Sequence, residues 1–320
     1  LCGGCAIEAT GTALPEATLA LCRDCDAILF GAAGGPKWDG LPGPERPERA
    51  LATIRKELGL YVNLRPIRVR ECLAPILPLR EALVGDGFEF FIVRELVGGL
   101  YYAEPRGVAR EGEPRGFDTC SYTLHEVERV VRAALELARA RGLPVTSVAK
   151  ENMLESSKVW REGAERVGRQ YPDVPLAHML VDACAYHLVR NPRQFGVLVT
   201  ENVFGDILSD EAGALAGSLG MCPSASYGDT RQGLYEPIHG TAPDIAGKGI
   251  ANPIGAILSA ALLLRHSFGL EAEAKDIEAA VESTLEAAYR TADIRQTGTK
   301  TVGTAGMTDA VLHAVLATGA

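Results

Sequence analysis

Short apolar runs alternate along this chain with segments of helical periodicity, and that alternation restricts the fold more than any other feature. Ala27 to Phe30, Phe88 to Val93, Val145 to Val148 and Gly196 to Thr200 read as strands, with helical patterns at Ala17 to Cys25, Glu45 to Leu58 and Leu124 to Arg141. Such alternation predicts an α/β fold. In the last helix Val127, Val130, Val131, Ala134, Leu135 and Ala138 share one face, and Glu128, Arg132, Glu136 and Arg139 take the other. That apolar face belongs to a core, not to a cofactor site. Between Tyr101 and Ser121 the sequence is rich in Gly, Pro and charge and lacks a period, so an extended arm or loop is expected there.

A length of 320 residues, 47% hydrophobic, supports about two domains. The formal charge of -9, without any run of basic residues, opposes a nucleic-acid partner. The longest apolar stretch, Ile254 to Leu264, stops at Arg265, short of the roughly 18 residues of a membrane span, and reads as a buried helix. The start shows no basic segment followed by an apolar one, which favours the cytoplasm over secretion.

Several side chains stand where an open α/β sheet presents ligand groups, at the ends of strands and the starts of helices. Asn202-Val203-Phe204-Gly205-Asp206-Ile207-Leu208-Ser209-Asp210 follows a strand and opens a helix, which puts Asp206 and Asp210 on one helical face. Like charges at that spacing repel unless something cationic lies between them. A hard ion such as Mg²⁺ or Mn²⁺ accounts for the pair, as does the general preference of acidic residues for a first turn. Arg94 ends the run Phe88 to Val93, where a guanidinium can grip a carboxylate through two hydrogen bonds, so a small anionic substrate is implied. Arg55 and Arg65 are further candidates. Lys150 follows a strand and could act as a base, Tyr101 is a possible proton donor, and Asp182, within an apolar helix from His178 to Leu188, needs a partner or a metal if it is buried.

Neither the G-x-G-x-x-G nor the Walker spacing occurs, which disfavours a standard dinucleotide fold. A long turn-forming stretch, Glu236 to Pro253, feeds a helix instead and could wrap a nucleotide with its amides. Cys2-x-x-Cys5 and Cys22-x-x-Cys25 formally fit a zinc staple, but no knuckle turn surrounds either pair, and Cys22 and Cys25 end a helical pattern, where free cysteine packs as a small hydrophobe.

In order and spacing, Gly34-Gly35-Pro36-Lys37-Trp38-Asp39, Asn63-Leu64-Arg65-Pro66, Val93-Arg94-Glu95-Leu96, the Asn202 to Asp210 segment and the His239 to Asn252 loop resemble the 3-isopropylmalate dehydrogenases of the isocitrate/isopropylmalate dehydrogenase family. The resemblance runs from about Gly3 to the C-terminus. It implies an α/β, two-domain fold with a central mixed sheet, distinct from a standard Rossmann fold. Residues 1–60 and 217–320 would form the cofactor side, and residues 61–216 the substrate, metal and dimerisation domain, with an arm near 101–121. The implied reaction is the NAD-dependent oxidative decarboxylation of 3-isopropylmalate to 4-methyl-2-oxopentanoate in leucine biosynthesis.

The same resemblance implies roles for individual residues. Arg55, Arg65 and Arg94 would hold the two carboxylates of a 2-hydroxy dicarboxylic acid. Asp182, Asp206 and Asp210 would gather Mg²⁺ or Mn²⁺, Lys150 would be the base and Tyr101 the acid. Lys150 and Asp182 would serve the site of a neighbouring subunit, making an obligate homodimer with shared active sites. The third substituent of the substrate would meet Glu48, Leu51 and Ala52, and Leu51 offers a carboxylate no partner, so a branched apolar group is expected. Glu236, His239, Gly240, Thr241, Ala242, Pro243, Asp244, Ile245, Ala246, Gly247 and Asn252 would line the cofactor. Asp244 would face the adenosine ribose and select NAD over NADP. Two departures from the pattern bear on function. Ala149-Lys150-Glu151-Asn152 replaces the usual Asp-Lys-Ala-Asn, and about forty residues with a first strand and a Gly-rich turn would precede Gly3. Sister activities on isocitrate, homoisocitrate or tartrate share the metal, arginines and base. A non-catalytic subunit and a zinc-stapled binding module are the alternatives from other classes.

Overall fold

The computed structural model describes residues 1–318. Its strands are β1 (Ala27–Leu29), β2 (Val62–Val69), β3 (Phe88–Glu95), β4 (Gly107–Ala109), β5 (Arg115–Phe117), β6 (Val145–Ala149), β7 (Leu176–Leu180), β8 (Val197–Thr200), β9 (Pro223–Tyr227) and β10 (Gly233–Pro237). The helices that matter below are α1 (Glu48–Glu57), α2 (Leu124–Arg141), α3 (Glu155–Gly168), α4 (Val181–Arg190), α5 (Asn202–Leu215) and α6 (Ile254–Phe268). The expected strands and the helix at 124–141 are all present. No helix among the described residues is long and apolar enough to cross a membrane.

Two compact units divide the chain, one made of residues 1–60, 68–88 and 213–320, the other of 61–67 and 89–212. In the first unit β1 runs parallel to β10, and β10 antiparallel to β9, so its sheet is mixed. α6 packs on β9 and β10. In the second unit the order is β2, β3, β8, β6, β7, and the pairs from β3 to β7 are parallel. That arrangement directs the C-terminal ends of β3, β6, β7 and β8 to one edge, where Arg94, Lys150, Val181 and Glu201 stand at or just beyond them.

α2 shows why the second unit holds its shape. Thr123 and Glu126 form a reciprocal capping box at its start, and Gly142 ends it in the left-handed region. Its Val127, Val130, Val131 and Leu135 are wholly buried, each contributing roughly 1.5–3 kcal/mol on leaving water. α2 packs mainly against α3.

One expectation needs correction. The apolar run from His178 to Leu188 is not one helix: residues 178–180 complete β7, and α4 begins at Val181. β7 runs into α4 with no intervening turn residue, and short apolar runs look alike in either state. Within the 101–121 segment β4 and β5 pair as an antiparallel hairpin, in keeping with the extended arm expected there.

Candidate active site

In the second unit the two guanidiniums expected to bind an anion converge on the two carboxylates of α5. Arg94, at the end of β3, donates through Nη1 to Asp206, and Arg65 of β2 lies 3.6 Å from both Asp206 and Asp210. Both arginines are almost fully buried, whereas the aspartate side chains are 37% and 57% exposed. Buried guanidiniums require fixed acceptors. Arg94 finds them in Asn202 Oδ1, which takes Nε at 3.0 Å and Nη2 at 2.7 Å, and Arg65 in Asn63 Oδ1 at 2.7 Å and in Ser209 Oγ. Gly205 permits this approach, because a Cβ there would lie 2.7 Å from Cβ of Arg94.

Tyr101 completes the cluster. Its hydroxyl donates to Asp206 Oδ2 at 3.1 Å, and its ring lies under the Arg94 guanidinium at 5.9 Å. Burial first, then the Asp206 charge, push the phenol above its ordinary value, so Tyr101 holds its proton at neutral pH. Burial also raises the Asp210 carboxyl, with Asp206 adding to the effect and Arg65 opposing it. Two neighbouring carboxylates, open to solvent and offering only oxygen, fit part of the ligand set of a hard divalent cation. Among the described residues no three metal-ligating side chains of this single chain gather.

Asp182 does not join that pair. It stands in the first turn of α4, 64% exposed at the side chain, where Lys150 donates to its Oδ1. Parallel registry explains the pairing, since Ala149 of β6 lies opposite Leu180 of β7 and the residues just beyond them become neighbours. Hydrogen bonding by Lys150 lowers the Asp182 carboxyl below its ordinary value. Asp182 is therefore paired at the surface, and the expectation of a partner or a metal, which applied to a buried carboxylate, does not arise. Glu151, the departure beside Lys150, accepts from Arg161 at 3.0 Å.

The remaining candidates lie in the first unit. Arg55 of α1 pairs with Glu236 of β10 at 2.5 Å, and its Nε is buried with no partner. An orphaned donor of this kind is costly unless a ligand meets it, which fits an anionic or nucleotide group at that point. Leu51 packs partly into the cluster of Ile54, Leu60 and Leu234, while Glu48 is exposed. Cys2 and Cys22 pack against that cluster as small hydrophobes, and all eight cysteines are free thiols.

His239 to Gly249 form an exposed or half-exposed chain of turns, with Ile245 N bonded to Ala242 O and Lys248 N to Ile245 O, both at 3.1 Å. Ala242 takes the left-handed region at φ 43. Asn252 is buried, and its amide caps α6 through Ile254 N at 3.0 Å and donates to Asp293 at 3.1 Å, so it anchors the loop. Asn63, Asn202 and Ser209 have site contacts that sequence reasoning did not assign. Asn202 opens a segment singled out for its aspartates, but nothing local marks it as an arginine acceptor.

Residues 1–311 match the family described as Isocitrate/isopropylmalate dehydrogenase. The chain is 55% identical to the 3-isopropylmalate dehydrogenase of Halalkalibacterium halodurans over 318 residues, covering 99% of this chain and 87% of that protein. Among solved structures, the isocitrate dehydrogenase of Methylococcus capsulatus superposes with a TM-score of 0.86 at 34% identity, covering 98% of this chain and 88% of that one. A β-decarboxylating dehydrogenase from Thermococcus kodakarensis gives 0.76 at 38% identity, covering 98% and 85%. On the length of the family match and the identity to these relatives, the chain belongs to the isocitrate/isopropylmalate dehydrogenase family.

Proposed function

We propose that this chain catalyses the NAD-dependent oxidative decarboxylation of 3-isopropylmalate to 4-methyl-2-oxopentanoate, with Mg²⁺ or Mn²⁺, in the leucine pathway of the cytoplasm. The observation that carries the reading is the convergence of Arg65, Arg94 and Tyr101 on Asp206 and Asp210, in a chain 55% identical to a 3-isopropylmalate dehydrogenase. Eight free thiols are at home in a reducing compartment.

A substrate with two carboxylates offers Arg65 and Arg94 the acceptors they now take from the aspartates, which frees Asp206 and Asp210 to hold a cation. When bound, that cation supplies positive charge at the substrate hydroxyl and NAD supplies the hydride acceptor. Lys150, after releasing to solvent the proton it now shares with Asp182, takes the hydroxyl proton at Nζ as a neutral amine. Tyr101, whose phenol keeps its proton, delivers it to the carbon from which CO₂ has left. The 236–252 loop is assigned to the cofactor, with Asp244 toward the ribose, and Arg55 and Leu51 to the substrate.

Lys150 and Asp182 are assigned to the site of a second copy. Two observations support that assignment: within one chain they pair with each other instead of joining Asp206 and Asp210, and the elements around them expose apolar side chains. Met153, Tyr186, Val189 and Ile207 are 72%, 63%, 51% and 62% exposed. A second copy packed on these elements would cover them.

Steady-state kinetics with 3-isopropylmalate, isocitrate, homoisocitrate and tartrate tests the reading. The highest kcat/KM is expected for 3-isopropylmalate, because the apolar side chain of Leu51 gives a third carboxylate no hydrogen bond. Isocitrate as the best substrate overturns it.

A further inference from the structure

The most deeply buried carboxylate of the second unit, Glu95, has no part in the reaction as described, yet it follows Arg94 directly and is wholly inaccessible. Its two oxygens accept from two backbone amides and from Arg129. Oε1 accepts from Val97 N at 3.1 Å and from Arg129 Nη2 at 3.4 Å, and Oε2 accepts from Gly98 N at 2.8 Å. The turn it secures leads into Tyr101. Gly98 passes the constraint on, because its carbonyl accepts Asn202 Nδ2 at 3.1 Å, and Asn202 Oδ1 is the acceptor that fixes both Nε and Nη2 of Arg94. The next residue leaves no room for a side chain, since Gly99 lies at φ +67 and a Cβ there would fall 2.1 Å from the Tyr122 hydroxyl. That hydroxyl in turn accepts Asn202 N at 3.1 Å.

We propose that Glu95 is a positioning residue, which fixes Arg94 and Tyr101 against Asp206 by way of the Val97 and Gly98 amides and the Asn202 side chain. The proposal rests on the assignment of Arg94 and Tyr101 to substrate binding and proton delivery. Burial raises the Glu95 carboxyl to about 7 despite both amides and Arg129, a cost that a purely apolar side chain at this buried position would avoid.

Glu95→Gln separates the relay from the fold. The amide keeps the volume but turns one acceptor into a donor that faces a backbone N–H or the Arg129 guanidinium, so one contact to the turn is lost. Asn202→Ala cuts the same relay at its far end and guards against a Glu95 variant that fails to fold. Each is expected to raise KM for 3-isopropylmalate about tenfold and to lower kcat, with KM for NAD changed less than about twofold. The double variant is expected to be no worse than Asn202→Ala alone, because both changes break one chain of contacts. General loosening of the structure would instead lower the active fraction and worsen both KM values together. Arg94→Gln is the control. If it raises KM while Glu95→Gln and Asn202→Ala leave KM and kcat unchanged, the positioning role is wrong and the functional reading stands. If Arg94→Gln itself leaves KM unchanged, the functional reading falls and takes the proposal with it.

Discussion

On the proposed reading, the acidic cluster of the second unit and the 239–252 loop of the first would each hold a charged ligand, by opposite means. Around Asp206 the work is done by side chains, with two buried guanidiniums fixed by Asn63, Asn202 and Ser209 before any ligand arrives. Along the loop it would fall to an exposed chain of turns, anchored by Asn252 and by the bond from Thr304 N to Gly249 O at 2.8 Å. A preorganised cluster suits the changing charge of a reaction, because its dipoles need not reorient as the charge develops. An exposed loop suits a ligand that must arrive and leave in every turnover. Substitutions in the cluster should therefore act on turnover and on hydroxyacid binding, and substitutions in the loop on the cofactor alone.

The largest expected effect is that of Asp206→Asn, which turns a proposed cation ligand into a neutral amide and leaves a single oxygen acceptor where Arg94 and Tyr101 now have one each. A fall in kcat of about a thousandfold is expected, with activity of the wild type also abolished by chelation and restored by Mg²⁺ or Mn²⁺. Full turnover by this variant, or after exhaustive chelation, breaks the assignment. Arg94→Gln comes next, with KM for the hydroxyacid rising about a hundredfold as a bidentate carboxylate contact is lost, and little change in KM for NAD. Equal rises in both values would erase the distinction between the two regions.

A smaller change is expected from Asp244→Lys, which inverts charge in the loop. The ratio of kcat/KM for NAD to that for NADP should fall about tenfold or more while the hydroxyacid KM holds. An unchanged ratio would move Asp244 away from the ribose. Smallest is Ala242→Gly, which relieves a left-handed alanine and should stabilise the first unit by roughly 1 kcal/mol, read as a small rise in Tm. Destabilisation would show that the alanine conformation is supported by contacts of its methyl group.

Sequence periodicity sufficed for much of the frame and for half of the site. The strand ending in Arg94 and the i, i+4 pair Asp206 and Asp210 follow from local pattern, because strand ends and helix faces are set by periods of 2 and 3.6. Contacts between distant segments were out of reach. Arg55 meets Glu236 across 181 residues, and Arg94 meets Asn202 across 108, pairings that local pattern does not encode. Lys150 and Asp182 illustrate a middle case, since their meeting needs only parallel registry of β6 and β7, but β7 was hidden inside an apparent helix. The loop was legible mainly through resemblance, its turns lacking the spacing of a known phosphate cradle.

The central claim is that Arg65, Arg94, Tyr101, Asp206 and Asp210 of one copy act with Lys150 and Asp182 of another. Mixing two inactive variants, Lys150→Met and Asp206→Asn, under conditions that exchange subunits tests it directly. Half of the randomly re-formed dimers carry both chains, and each such dimer has one intact site. The account therefore predicts recovery of about a quarter of wild-type activity at equal mixing. If exchange is verified by mass and the mixture stays as inactive as its components, the site is built within a single chain and the account is contradicted.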